Sequence, residues 1–199
     1  MPTLLKLIGE WLLRFLPMLR RPVTAPEGVE EVVFPGPRIP PRDLEVRLRG
    51  EVVKPEYANE KDISGKWKGG FVTHCNAFTR NVCKWYGWSD FEAEDRDQAG
   101  EITWYMRTHP ASWKPVDMQE AAMLANQGHL VVAGQEHPKP PPTGHVCIVA
   151  PGEMIYSNKW SCLVPIAANV GGDNWYGKGL NYAFGKEPPK MFAYTGVRV

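Results

Sequence analysis

The chain has 199 residues, and 23 Lys and Arg against 22 Asp and Glu leave a formal net charge of +1. That balance excludes nucleic-acid binding driven by bulk charge and excludes an acidic disordered tail. A hydrophobic share of 43% with 23% charged residues is ordinary for a globular chain, and the length suits one domain whose core needs no disulfides.

Residues 1–21 are rich in Leu, Ile, Trp and Phe, with Lys6, Glu10 and Arg14 recurring every fourth position. This predicts an amphipathic helix with one charged stripe. Its charges count against a membrane span, which needs about 20 residues with few charges, and no cleavable signal peptide is evident. Three roles fit its apolar face: packing on its own domain, docking into a larger assembly through residues 1–43, or contact with a membrane surface. Residues 22–64 hold Pro22, Pro26, Pro35, Pro37, Pro40 and Pro41 and read as an extended connector. Within it, the alternation in Leu44 to Val53 predicts a short strand.

A third segment, 65–199, opens on the Gly-rich stretch Lys66-Trp67-Lys68-Gly69-Gly70. A helix beginning near Cys75 would place Cys75, Phe78, Val82 and Trp85 on one face, with Gly87 as its stop. Asp117-Met118-Gln119-Glu120 has capping-box spacing, and Gly128 closes the helix that follows. Leu130–Ala133, Gly144–Ala150 and Leu163–Val170 read as strands, and Pro138–Pro142 as a stiff loop. Helices followed by strands point to an α+β domain.

The four cysteines, Cys75, Cys83, Cys147 and Cys162, include no C-x-x-C pair and are too few for a secreted disulfide scaffold. Cys75 stands apart because it opens a helix, where free N–H groups and the helix dipole stabilise a thiolate. His145 starts a strand and shares a face with Cys147 and Val149. If that strand packs on the Cys75 helix, the imidazole meets the thiol and the pair can act as nucleophile and base. Spacing alone leaves the ordinary alternative open, a small buried Cys and a structural His. A metal site is not expected: His74 and Cys75 are adjacent, and no C-x-x-C or H-E-x-x-H spacing occurs. Trp85, Tyr86, Trp88, Trp104 and Tyr105 could line a glycan cleft or fill the core. His109, His129 and His137 have no convincing partner.

Cys75-Asn76-Ala77-Phe78 at a helix start, with Gly144-His145-Val146-Cys147-Ile148-Val149 later, resembles the papain-like cysteine hydrolases of bacterial peptidoglycan, the CHAP-type and NlpC-type enzymes of phage lysins, phage tails and antibacterial effectors. Glu120 to Val132 and Gly179 to Gly185 are similar to further parts of such domains, and the likeness spans roughly 65–195. It implies a papain-like α+β fold, with the nucleophile helix packed on a small antiparallel sheet. It also implies hydrolysis of a cell-wall amide bond through an acyl-enzyme, by an amidase or an endopeptidase, without metal or cofactor. Cys75 would be the nucleophile and His145 the base. The third, polar residue would be Asn169, the one polar side chain of its strand, unless Asn169 merely begins the Gly171-Gly172 turn; Glu153 and Asn174 come behind it. The expected partners are peptidoglycan and a protein assembly such as a phage tail or contractile injection particle acting at the bacterial cell wall, not nucleic acid. The rival readings are a structural or baseplate-type component with an inactive domain, and a secreted antibacterial amidase effector.

Overall fold

The computed structural model of the chain describes residues 33–58, 74–92, 98–136 and 144–197. The chain divides into two units, Met1–Val33 and Phe34–Val199, and the described residues belong, Val33 apart, to the second. The expected helix at 1–21, the connector up to residue 32, the Gly-rich stretch Lys66–Gly70 and the loop Pro138–Pro142 lie outside the described residues.

The strand expected at Leu44–Val53 is instead a helix, α1 (Pro41–Val52). Pro41 sits in its first turn, where a missing N–H costs nothing. The alternating pattern misleads because Leu44, Leu48 and Val52 also recur every fourth residue, and these three are buried while Val46 is 64% exposed. Burial therefore follows the helical period.

Helix α2 (Cys75–Trp85) turns Cys75, Phe78, Thr79, Val82 and Cys83 inward and leaves Trp85 half-buried. Gly87 follows it with φ +79°, and its N–H donates to the Lys84 carbonyl. A third helix, α3 (Ala99–Thr108), has no counterpart among the sequence expectations; Gln98 and Glu101 form a capping box at its start. Helix α4 (Met118–Asn126) is capped as expected by the Asp117 carboxylate, which accepts the Glu120 N–H at 2.8 Å. The Glu120 carboxylate does not return to the cap and pairs with Lys114 at 2.8 Å.

Eight strands are described: β1 (Trp113–Val116), β2 (Val131–Glu136), β3 (Gly144–Val149), β4 (Ile155–Ser157), β5 (Cys162–Val164), β6 (Ile166–Asn169), β7 (Trp175–Gly179) and β8 (Lys190–Tyr194). Six form one antiparallel sheet in the order β1-β8-β2-β3-β6-β7, and β4 pairs with β5 alone. The expected strand Leu163–Val170 is thus two, divided at Pro165, which has no N–H to give a ladder. Pro115 is accommodated because β1 lies at the edge.

Alternation along the strands splits the core in two. Val132, Val146, Ile148 and Phe192 pack with α1, α2 and α3, while Val131, Ala133, Cys147 and Val149 pack with Ala121, Leu124 and Ala125 of α4. Helices on an antiparallel sheet make the fold α+β. Trp88 and Trp113 are fully buried with ring centroids 5.7 Å apart, and Phe91, Tyr105 and Tyr194 close around them. Trp88, Tyr86 and Tyr105 therefore belong to the core, whereas Trp104 is exposed.

In a strand, Leu44, Val46 and Leu48 would share a face; in α1, Leu48 is inside and Val46 outside. Leu48→Ala is expected to lower the unfolding free energy by about 2–5 kcal/mol, and Val46→Ala to change it by less than about 0.5 kcal/mol. Urea titrations of both variants check this, and equal losses would restore the strand.

Candidate active site

Gly144 and His145 open β3 beside the start of α3. A Cβ on Gly144 would collide with the Gln135 carbonyl oxygen of β2 and press on the Gly100 backbone 3.1 Å away, so the strand position itself demands glycine. The antiparallel register sets His145 opposite Gln135. By alternation its side chain lies on the face of Cys147 and Val149, and its ring meets Phe184 edge-on at 5.3 Å. Phe184 is held in turn by Lys159, whose ammonium donates to the Phe184 carbonyl at 2.9 Å.

Cys75 is the first residue of α2 and is 1% exposed. Its side chain hydrogen-bonds the His145 ring. The other side of the ring is occupied by Asn169, at the end of β6: Nε2 and the Asn169 Oδ1 are 2.7 Å apart. Asn169 is oriented from behind, because its Nδ2 donates to the Asp173 carbonyl at 2.9 Å. A donor cannot face a donor, so this bond turns the amide oxygen towards the imidazole. Nε2 then carries the hydrogen, and Nδ1 is the nitrogen left to the sulfur.

The three residues singled out from the sequence, Cys75, His145 and Asn169, are thus brought into one chain of hydrogen bonds. Glu153 is not among the partners of the ring, and Asn174 serves the backbone: its Oδ1 accepts the Gly171 N–H at 3.1 Å. Gly171 lies close against the ring, where a Cβ would stand 3.2 Å from His145 Cε1. Sequence reading passed over Gly171 and Phe184 as contacts of the ring. Their one available signal was their place in the Gly-Gly turn and in the Gly179–Gly185 motif.

Opposing influences act on the imidazole. Enclosure of the His145 ring is the largest influence and pulls its pKa down, but the bond to Cys75, the sulfur's negative charge and the bond to Asn169 together outweigh it and raise the pKa above 6.5. Burial pushes the Cys83 and Cys147 thiols up, and the charge on Cys75 adds to the shift of Cys147. His129 behaves oppositely to His145: burial and the Arg38 charge lower it, and its nitrogens have no well-aligned partner, the Gly36 and Pro37 carbonyls only partly offsetting the cost. Among the described residues, no three His, Cys, Asp or Glu side chains form a group able to hold a metal.

His145 and Asn169 open on a cleft of about 400 Å³, walled also by Gly171, Asp173, Trp175 and Tyr182. Tyr182 is 69% exposed, and Trp175 is half-buried with the Lys178 ammonium 5.7 Å from its ring. The cleft thus presents aromatic surface next to the imidazole. No protein-family model and no curated protein sequence matches the chain.

An NMR titration of the ring protons is expected to give His145 a midpoint above 6.5. In Cys75→Ala, with the sulfur gone and enclosure dominant, the midpoint should fall. A midpoint that does not move would show that the thiol and the ring are uncoupled.

Proposed function

We propose that the chain is a cysteine-dependent amidohydrolase of papain-like architecture that cleaves an amide bond of bacterial peptidoglycan. The observation that carries this reading is the bond from Cys75 to His145, with the far side of the same ring held by the oriented Asn169 amide. The likeness of the Cys75–Phe78 and Gly144–Val149 motifs to peptidoglycan hydrolases supplies the substrate class.

In this mechanism Nδ1 takes the Cys75 proton, and the imidazolium that results is stabilised by its Nε2–H bond to Asn169. The thiolate adds to the amide carbonyl carbon, and the backbone N–H of Cys75 at the helix start holds the oxyanion. As the intermediate collapses, His145 returns the proton to the departing amine and the C–N bond breaks, leaving an acyl-enzyme. Water, deprotonated by the now neutral His145, attacks the thioester; the product carboxylate leaves and the thiol is restored. The cleft of Trp175 and Tyr182 receives the substrate beside the ring. The apolar stretch at residues 1–21 attaches the enzyme to a larger particle, such as a phage tail or contractile injection machine.

On purified sacculi, Cys75→Ala is expected to reduce release of soluble muropeptides about a thousandfold or more with its circular dichroism unchanged, while excess chelator leaves the wild-type rate intact. Release that survives in Cys75→Ala, or that the chelator stops, would refute the mechanism. A chain lacking residues 1–32 should keep cutting sacculi; loss of cutting at unchanged stability would assign the N-terminal stretch to catalysis instead of attachment.

A further inference from the structure

Asn174 makes two bonds, both to backbone. Its Oδ1 accepts the Gly171 N–H at 3.1 Å, and its Nδ2 donates to the Tyr57 carbonyl at 2.9 Å, across 117 residues of sequence. The turn between β6 and β7 is thereby tied as a body. That turn supplies two walls of the histidine's seat: Gly171 against the ring, and the Asp173 carbonyl that aims Asn169.

The anchor is itself bonded and buried. Tyr57 is 2% exposed, and its hydroxyl donates to the Glu51 carboxylate at 2.8 Å while accepting from Asn81 Nδ2. Its ring meets Phe78 edge-on at 6.1 Å. Asn81 and Phe78 both lie on α2, the helix that begins with Cys75. Tyr57 therefore grips the cysteine's helix with its side chain and the asparagine's turn with its carbonyl.

We propose that Asn174 is a positioning residue: by tethering the 170–174 turn to Tyr57, it holds the Asn169 amide on Nε2 and keeps the imidazole at the distance from Cys75 that α2 sets. The proposal rests on the Cys–His reading above. Without the tether the turn shifts, the Nε2–H loses its fixed acceptor, and the ring no longer faces the sulfur in one orientation. The thiolate then loses its counter-charge. Besides Cys75, the titratable groups about the ring are Cys147 on the same strand, and Asp173 and Tyr182 along the cleft.

The test uses the full chain and alkylation of Cys75 by iodoacetamide, followed by mass spectrometry of the Cys75 peptide. A thiolate held by an imidazolium reacts at about pH 6, well below the ordinary thiol range near 8.5. Asn174→Ala removes both bonds; Asn174→Ser keeps a local acceptor for the Gly171 N–H and cannot reach Tyr57. Each is expected to lower the ratio of the rate at about pH 6 to that at about pH 9.5 roughly tenfold, the effect of one pKa unit, with little change in thermal midpoint. If both variants keep the wild-type ratio while Asn169→Ala loses it, the proposal is overturned and the Cys–His reading stands. A loss that is equal at both pH values marks a role in stability alone and also overturns it. If the wild type has no reactivity at low pH, and Asn169→Ala behaves like it, the Cys–His reading falls and takes the proposal with it.

Discussion

The Asn169 carboxamide has two ends of opposite polarity, and the Asp173 carbonyl can bond only one of them. That single choice passes down the whole site. With Nδ2 spent on Asp173, Oδ1 faces the ring; with Oδ1 on Nε2, the hydrogen sits there and Nδ1 is left a lone pair for the sulfur. A rotated amide would offer N–H to Nε2, reverse the tautomer and leave the thiol facing a donor. The preference between the two states is set by a main-chain carbonyl that does not itself touch the ring.

Sheet register matters as much as the amide. His145 faces Gln135 in β2, and Ile148 and Val149 pair with Ala168 and Ala167 in β6. A slip of one residue would send the imidazole to the opposite face and bring Val146 in its place. The slip is costly because both faces are packed: Val146 and Ile148 would leave one core, and Cys147 and Val149 the other. The apolar residues of β3 thus specify where its one histidine points. The Gln135 carbonyl, which leaves no room for a Cβ on Gly144, adds a second constraint on the same end of the strand.

Much of this was legible in the sequence where the local signal and the tertiary environment agree. Helix α2, with its inward face and its glycine stop, and α4, with its Asp117 cap, follow from spacing alone. So do the existence and alternation of β3. The strand reading of residues 44–53 failed because Leu44, Val46, Leu48 and Val52 satisfy a two-residue period and, Val46 apart, a four-residue one; only burial separates them. Helix α3 was hidden by Gly100, Ile102 and Thr103, poor helix formers that the capping box and the packing of Ile102, Tyr105 and Met106 override. β1 and β8 pair with each other across a long stretch of chain, and β1 contains a proline, so neither announces itself locally. Cys75, His145 and Asn169 were singled out by the likeness of their motifs to cysteine hydrolases, and the structure brings all three to one imidazole ring. Tyr57 was not, since its contribution is a carbonyl, and a carbonyl carries no sequence signature.

The rings of Tyr57 and His74, the residue immediately before Cys75, lie 6.3 Å apart. Tyr57 thus touches the residue that precedes Cys75 with its ring and holds the turn beside Asn169 with its carbonyl, so the two halves of the site share one support.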